Sequence, residues 1–367
     1  MIWWADRNRG IVLVPERNHL VQAKSLIRAL HGEVHAQPTF WFMRQAGRYL
    51  PEYRQTRAKA KDFISLCLNP ELATEITLQP IRRFAMDAAI LFADILLVPH
   101  GLGQQVAFKE GEGPVLAPVA SEADIDRLVG GAAGALERLA PVAATLRGVA
   151  AALPFDTALI GFAGAPWTVA TYMVEGGSSR DFVATRRMAN AEPKRFARLI
   201  DLLVDVTTDY LDMQIKAGAE AVQLFDSWAG VLTDVEFARW CVAPVREIVR
   251  RLETRHPGVP VIGFPKGAGI HYREYAMLTG VDAIGLDQTV PLDWAQSVLQ
   301  KDAALQGNLD PIFLVIGGAA MEQATKRILE TLGRGPFVFN LGHGIRPETP
   351  IAHVERLCEL IRHWRAT

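Results

Sequence analysis

The feature that most constrains this chain is a set of eight short runs that are apolar almost throughout and end in small or polar residues. They are TFWFMRQ (39–45), AAILFADILL (88–97), TALIGFAGAP (157–166) and AVQLFDSW (221–228), then VPVIGFPKG (259–267), DAIGLDQ (282–288), ALQGNLD (304–310) and FVFNLGHG (337–344). A strand with one wet face alternates polar and apolar residues, whereas a strand covered on both faces does not, and parallel sheets are built from the second kind. Helical patterns lie between the runs. One opens at Asn69-Pro70-Glu71, an N-cap followed by proline at the first helical position, and continues towards Phe84 with Pro80 as an expected kink. Others begin near Thr233-Asp234 and after Pro291, and the apolar spacing of Leu136, Leu139, Val142 and Leu146 makes 130–152 read as helix. Eight strands alternating with helices predict a single α/β domain, a (β/α)8 barrel with loop insertions over its usual ~250 residues. A doubly wound sheet would carry a glycine-rich phosphate turn after its first strand. Here that position holds Arg44-Gln45-Ala46-Gly47-Arg48 instead.

The barrel is expected to occupy residues 25–367. Residues 1–24, with Trp3 and Trp4 followed by mixed charge, read as a peripheral N-terminal extension. Half of the 367 residues are hydrophobic, enough for a sizeable core. Lys and Arg total 39 against 40 Asp and Glu, which argues against nucleic-acid or electrostatic membrane binding. A few clustered arginines would still serve an anionic ligand. No apolar run approaches the ~18 residues of a membrane span, and MIWWADRNRG lacks the apolar core of a signal peptide. Cys67, Cys241 and Cys358 form no disulfide framework or CxxC pair, which predicts a reducing, cytoplasmic setting.

Barrel enzymes carry their chemistry at the C-terminal ends of the strands. Those positions here are Arg44 and Arg48, Asp94, Tyr172, Asp226 and Ser227, Lys266, Asp287, Asn308 and Asp310, and His343. Asp94 reads as the one polar residue inside a run. A buried carboxylate needs a partner, either a structural ion pair or loop amides, or else a ligand bearing N–H donors or developing positive charge. In MRQAGRYLPEYRQTR (43–57), Gly47 is expected to let the backbone turn sharply between Arg44 and Arg48. Two guanidinium forks held there would capture carboxylate or phosphate, although arginines paired with surface acids such as Glu52 are the ordinary alternative. Lys266 reads as a loop lysine, with Schiff-base chemistry as its functional alternative. His31 and His35 do not make a zinc motif, the stretch from Gly101 lacks the third glycine of a dinucleotide fingerprint, and no metal site is expected. The residues alone therefore predict a cofactor-free barrel for a carboxylate-rich ligand and do not name a reaction.

Longer segments add to this. WFMRQAGRYLPEYR (41–54), LFADILLVP (91–99), GFAGAPWTVATYMVEGG (161–177), QLFDSWAG (223–230), GLDQTVPLDWA (285–295), QGNLDP (306–311) and FNLGHGI (339–345) together resemble the uroporphyrinogen decarboxylase family from about Leu26 to the C-terminus. His100-Gly101 is a local departure that touches none of the site positions. The resemblance implies decarboxylation of the four acetate side chains of uroporphyrinogen III to methyls, giving coproporphyrinogen III in heme biosynthesis, by a cytoplasmic homodimer without a cofactor. It implies that Arg44, Gln45, Ala46, Gly47 and Arg48 hold substrate carboxylates and that Asp94 accepts hydrogen bonds from the pyrrole N–H groups. Tyr172, Ser227 and His343 would bind around the rim, with Asp94, Arg44 and Tyr172 as the catalytic set. The proton donor stays open between Arg44, Tyr172, His343 and a relayed water. Two other readings are a corrinoid-linked methyltransferase, which would need a His/Cys zinc site, and a non-catalytic tetrapyrrole binder, which could dispense with Asp94 or Tyr172.

Overall fold

The computed structural model describes residues 23–109, 111 and 113–366, so most of the expected N-terminal extension lies outside the described residues. All eight predicted runs contain barrel strands. These are β1 (Thr39–Phe40), β2 (Ala88–Ile90), β5 (Ala158–Gly164), β6 (Ala221–Asp226), β7 (Val261–Pro265), β8 (Ala283–Gly285), β9 (Ala304–Leu309) and β10 (Phe337–Leu341). They form one parallel sheet in the order β1-β10-β9-β8-β7-β6-β5-β2. The ring closes between β1 and β2 through Asp87, whose N–H donates to Phe40 O at 3.0 Å and whose carboxylate accepts from Phe40 N at 2.8 Å.

The floor of the barrel has its own plug. Five strands begin with alanine, at Ala88, Ala158, Ala221, Ala283 and Ala304. The small side chains leave room for the helix Ser25–Leu30, whose Leu26, Ile27, Ala29 and Leu30 join the same buried cluster. Just before that helix, Lys24 Nζ bonds to Thr157 O at 2.9 Å and to Glu220 at 2.7 Å, tying its start to the strand entrances.

Several local expectations meet their structural counterparts. Asn69 accepts from Leu72 N at 3.0 Å and caps the helix Pro70–Phe84, while Thr233 and Glu236 form a capping box. The stretch at 130–152 is helical but broken into pieces by Gly134 and Leu139, the last piece being Ala140–Ala152. Outside the barrel, β3 (Val106–Lys109) and β4 (Gly113–Leu116) form an antiparallel hairpin that the periodicity does not announce. It leans on the end of the helix Pro166–Glu175, with Leu116 N donating to Gly176 O at 2.9 Å.

Two sequence expectations are corrected. Asp94 is not inside a strand: β2 stops at Ile90, and 91–96 is a turn in which Leu96 N donates to Asp94 Oδ1 at 2.9 Å. Polar residues do sit inside strands, however, at Gln223, Gln306 and Asn340, all buried. Gln306 accepts from Trp41 Nε1 at 2.9 Å and donates to Gln223 at 3.1 Å. A buried amide is tolerable where other side chains satisfy it, and Gln306 has both amide atoms bonded across the barrel interior, whereas Gln223 uses only its oxygen.

Candidate active site at the barrel mouth

The first wall of the mouth follows β1. Met43 N donates to Asn340 Oδ1 at 2.9 Å, and Met43 O accepts from Ile345 N at 2.8 Å, so the loop is stitched to β10 and its own loop. The sharp turn lies at Arg44, not Gly47: Arg44 has φ 58°, in the left-handed region, whereas Gly47 does not. A non-glycine residue is strained there, and the stitching on both sides of β10 holds it. Gln45 is buried with neither side-chain amide atom hydrogen-bonded, Ala46 and Gly47 are half-buried, and Arg44 and Arg48 are exposed.

Next to this loop, Asp94 keeps part of its surface accessible. Burial raises its carboxyl to about 6, opposed by the bond from Leu96 N and by the Arg44 guanidinium. Tyr172, on the helix Pro166–Glu175, is also half-buried. Burial raises its hydroxyl; the Asp94 carboxylate pushes the same way and Arg44 the other. His343 follows β10 and is pushed down to about 4 by burial, then by the Arg44 and Lys266 cations, with Asp287 opposing. Arg44 is thus felt by Asp94, Tyr172 and His343, and Lys266 by His343, at a single mouth, although the five residues follow five different strands. Arg48 is felt by Tyr53 and Glu348 and stands further out on the rim.

Ser227 lies in the turn after β6, half-buried, between two better-anchored neighbours. Asp226 is fully buried and accepts from Thr168 Oγ1 at 2.5 Å and from Cys241 Sγ at 3.1 Å. Thr168 Oγ1 in turn accepts from Trp228 N at 3.0 Å, and Trp228 O accepts from Trp167 Nε1 at 3.0 Å. Asp226 therefore belongs to the scaffold of the Ser227 turn. Burial raises its carboxyl to about 6, opposed by those hydrogen bonds. Thr168 and Trp228 do not stand out in the sequence except as members of the PWT and DSW segments.

Three more strand-end residues are scaffold as well. Asp287 accepts from Gly267 N at 2.7 Å, Tyr272 Oη at 2.9 Å and Thr289 N at 2.8 Å, and Asn308 Nδ2 donates to Asp287 O and Val290 O. Asp310 caps the helix Pro311–Ile316 through Ile312 N at 2.9 Å. Polar residues at strand ends therefore divide into those that face the mouth and those that hold its loops.

Away from the mouth, a groove of about 810 Å³ runs between the helices Gly318–Leu332 and Ile351–His363. Its acids and bases largely pair with one another, as in Arg356–Glu322 and Lys326–Glu330. Among the described residues, no group of three or more His, Cys, Asp or Glu side chains is placed to hold a metal ion. Cys67, Cys241 and Cys358 are free and buried, and no described helix is long and apolar enough to cross a membrane.

A parallel (β/α)8 barrel with arginines, a half-buried carboxylate, a tyrosine and a histidine at the C-terminal ends of its strands has the architecture of a barrel enzyme for an anionic ligand. Among solved structures, a methyltransferase from Methanosarcina mazei aligns with a TM-score of 0.72 at 16% identity, covering 92% of this chain and 96% of that one, a likeness of fold. The family model for uroporphyrinogen decarboxylase (URO-D) matches residues 22–364. The uroporphyrinogen decarboxylase of Rhodospirillum rubrum is 58% identical over 339 residues, covering 92% of this chain and 97% of its own length. That of Sphingopyxis alaskensis is 55% identical over 343 residues, covering 92% and 98%. This chain belongs to the uroporphyrinogen decarboxylase family.

Proposed function

We propose that this chain is the lyase its family membership implies, converting the four acetate side chains of uroporphyrinogen III to methyls, and that it does so with the mouth residues described above and no cofactor. The observation that carries the reading is the convergence of Arg44, Asp94, Tyr172 and His343 on one mouth.

Loss of CO2 from an acetate leaves an electron pair that needs a sink, a task usually given to a bound cofactor. An electron-rich pyrrole serves as its own sink once it is protonated on the ring carbon beside the acetate. The C–C bond to the carboxylate then breaks towards the ring and CO2 leaves. A proton adds to the exocyclic carbon to complete the methyl, and the ring carbon releases the proton it first took up, so one proton is consumed for each CO2 lost. The protonated ring is cationic. Asp94, fixed by Leu96 N, supplies a counter-charge beneath it and accepts from the pyrrole N–H groups. Arg44, Gln45, Ala46, Gly47 and Arg48 hold substrate carboxylates; the two exposed guanidiniums are donors suited to that task. Tyr172, Ser227 and His343 line the rim.

The electrostatics narrow the choice of proton donor. His343, at about 4, is neutral at neutral pH and is no imidazolium donor, and the raised Tyr172 hydroxyl is a weakened acid. With the imidazolium excluded, the Arg44 guanidinium, the Tyr172 hydroxyl and a relayed water are the candidate sources. A cytoplasmic homodimer, with residues 25–367 as its catalytic domain and residues 1–24 peripheral, belongs to the same proposal. Sedimentation of the full chain and of a chain lacking residues 1–22 tests the assembly.

The test of function is anaerobic incubation of the purified protein with uroporphyrinogen III and a metal chelator, with the products oxidised and separated by their number of carboxyl groups. Stepwise appearance of the tetracarboxyl product is expected. Tight binding without loss of any carboxyl group would make the protein a tetrapyrrole binder instead.

A further inference from the structure

Going round the ring from β1 through β10, β9 and β8, the next strand is β7, which lies diametrically across the barrel from β1. Arg44 and Arg48 follow β1, and Lys266 follows β7, so the mouth has cations on opposite sides. Lys266 is half-buried, with Nζ 6.0 Å from the centre of the Trp228 ring. It forms no ion pair with any described residue. Asp287, the acid on the neighbouring loop, is already engaged by Gly267 N, Tyr272 and Thr289.

The backbone that carries Lys266 is locked from three directions. Lys266 N donates to Asp226 O at 3.1 Å, Lys266 O accepts from Gly230 N at 3.1 Å, and Gly267 N is held by Asp287. Gly267 has φ +77°, and a β-carbon on Gly230 would lie 2.5 Å from Gly267 O, so the loops after β6 and β7 touch through glycine backbone. A surface lysine without a function has no need of such a frame. A partly desolvated ammonium without an acid partner is costly unless an anion completes it.

We propose that Lys266 is a substrate-binding residue whose ammonium holds a carboxylate on the rim of the macrocycle opposite the carboxylates held by Arg44 and Arg48. The inference rests on the decarboxylase reading above. A flat ring with carboxylates all round its edge is not oriented by cations on one side alone. Gripped from β1 and from β7, it is held across the mouth, over Asp94. No bond forms or breaks at Nζ, which remains a charged donor.

The test is anaerobic steady-state kinetics with uroporphyrinogen III on Lys266→Met and Lys266→Arg, each checked by thermal melting. Loss of a charge-assisted hydrogen bond predicts a KM raised about tenfold to a hundredfold in the methionine variant, with kcat within about threefold of the parent. The arginine variant should keep KM within about threefold of the parent, and the parent's KM should rise more steeply with salt than that of the methionine variant. If Lys266→Met does not fold, Lys266→Gln is measured in its place. An unchanged KM in the charge-free variant, or an arginine variant as impaired as the methionine one, overturns the proposal while leaving the decarboxylase reading intact. A parent enzyme that does not turn over uroporphyrinogen overturns both.

Discussion

The Arg44 side chain occupies space that Gly344 leaves free: a β-carbon on Gly344 would lie 2.3 Å from Arg44 Cδ and 2.9 Å from its Nε. One loop thus fixes the path of a side chain on another, and the direction of the guanidinium depends on a missing methyl group. Arg44 is exposed, so it can swing away without disturbing the core.

Gly344→Ala is therefore expected to displace Arg44 while leaving the fold standing. The loss of one charged contact predicts a KM for uroporphyrinogen raised roughly tenfold or more, with a melting temperature within about 3 °C of the parent. Kinetics beside a melt of the same sample check it. A drop in stability with unchanged KM would mean that Gly344 serves packing alone.

Asp94 is assigned a role in charge placement, and its substitutions should grade accordingly. Removing a preorganised counter-charge lowers turnover by roughly 10²–10³, so Asp94→Ala should lose most activity and Asp94→Glu retain some. Near-normal turnover in the alanine variant would refute the assignment.

The same carboxyl sets a pH dependence. It works ionised, and with its pKa raised to about 6 it gains a proton as the pH falls through that value. The profile of kcat/KM, which reports the free enzyme, should fall on its acid side near pH 6. His343, at about 4, titrates too low to produce that limb, so His343→Asn should lower activity without moving it. A limb that disappears in the His343 variant would transfer the titration to the imidazole.

Asp226 predicts a stability signature. Its folded pKa, about 6, exceeds the ordinary carboxylate value of 3.8, so the native state retains a proton that the unfolded chain releases in between. Its contribution to stability therefore falls as pH rises through that window and is least favourable above it. Asp226→Asn removes the titration, so its melting temperature should improve relative to the parent on going from about pH 4.5 to about pH 7.5. A difference between the two proteins that stays constant with pH would contradict the raised pKa.

Much of the architecture was legible in the sequence because strands covered on both faces leave a near-continuous apolar signature, and all eight runs contain strands. The same signature hid what the barrel contains. Gln223, Gln306 and Asn340 sit in runs that are apolar on either side, and the partners that accommodate them lie far along the chain: Gln306 meets Trp41 and Gln223, and Asn340 accepts from Met43 N. Asp94 looked like a strand residue because Leu91, Phe92, Ile95 and Leu96 surround it; in the structure they pack the turn that presents it. At the site, residue type could not separate Asp226, Asp287, Asn308 and Asp310, which hold loops, from Asp94, which faces the mouth. Partner geometry makes that distinction, and partners are distant in sequence: Asp226 meets Thr168, and Asp287 meets Tyr272. The left-handed turn at Arg44 was likewise invisible, because Gly47 is the residue that ordinarily advertises such a conformation and the restraint comes from β10.

The helix Ser25–Leu30 stops the base of the barrel with Leu26, Ala29 and Leu30, leaving the site at the opposite end, where the strands finish. For a catalyst that must act repeatedly on one ring, this has a kinetic meaning. On the proposed reading, each partly processed macrocycle either turns in the doorway to present its next acetate to Asp94 or backs out by the route it entered, since the described residues fill the base of the barrel. Substrate, intermediates and product therefore contend for one passage, and the spread of partly decarboxylated species should widen as substrate is supplied in greater excess.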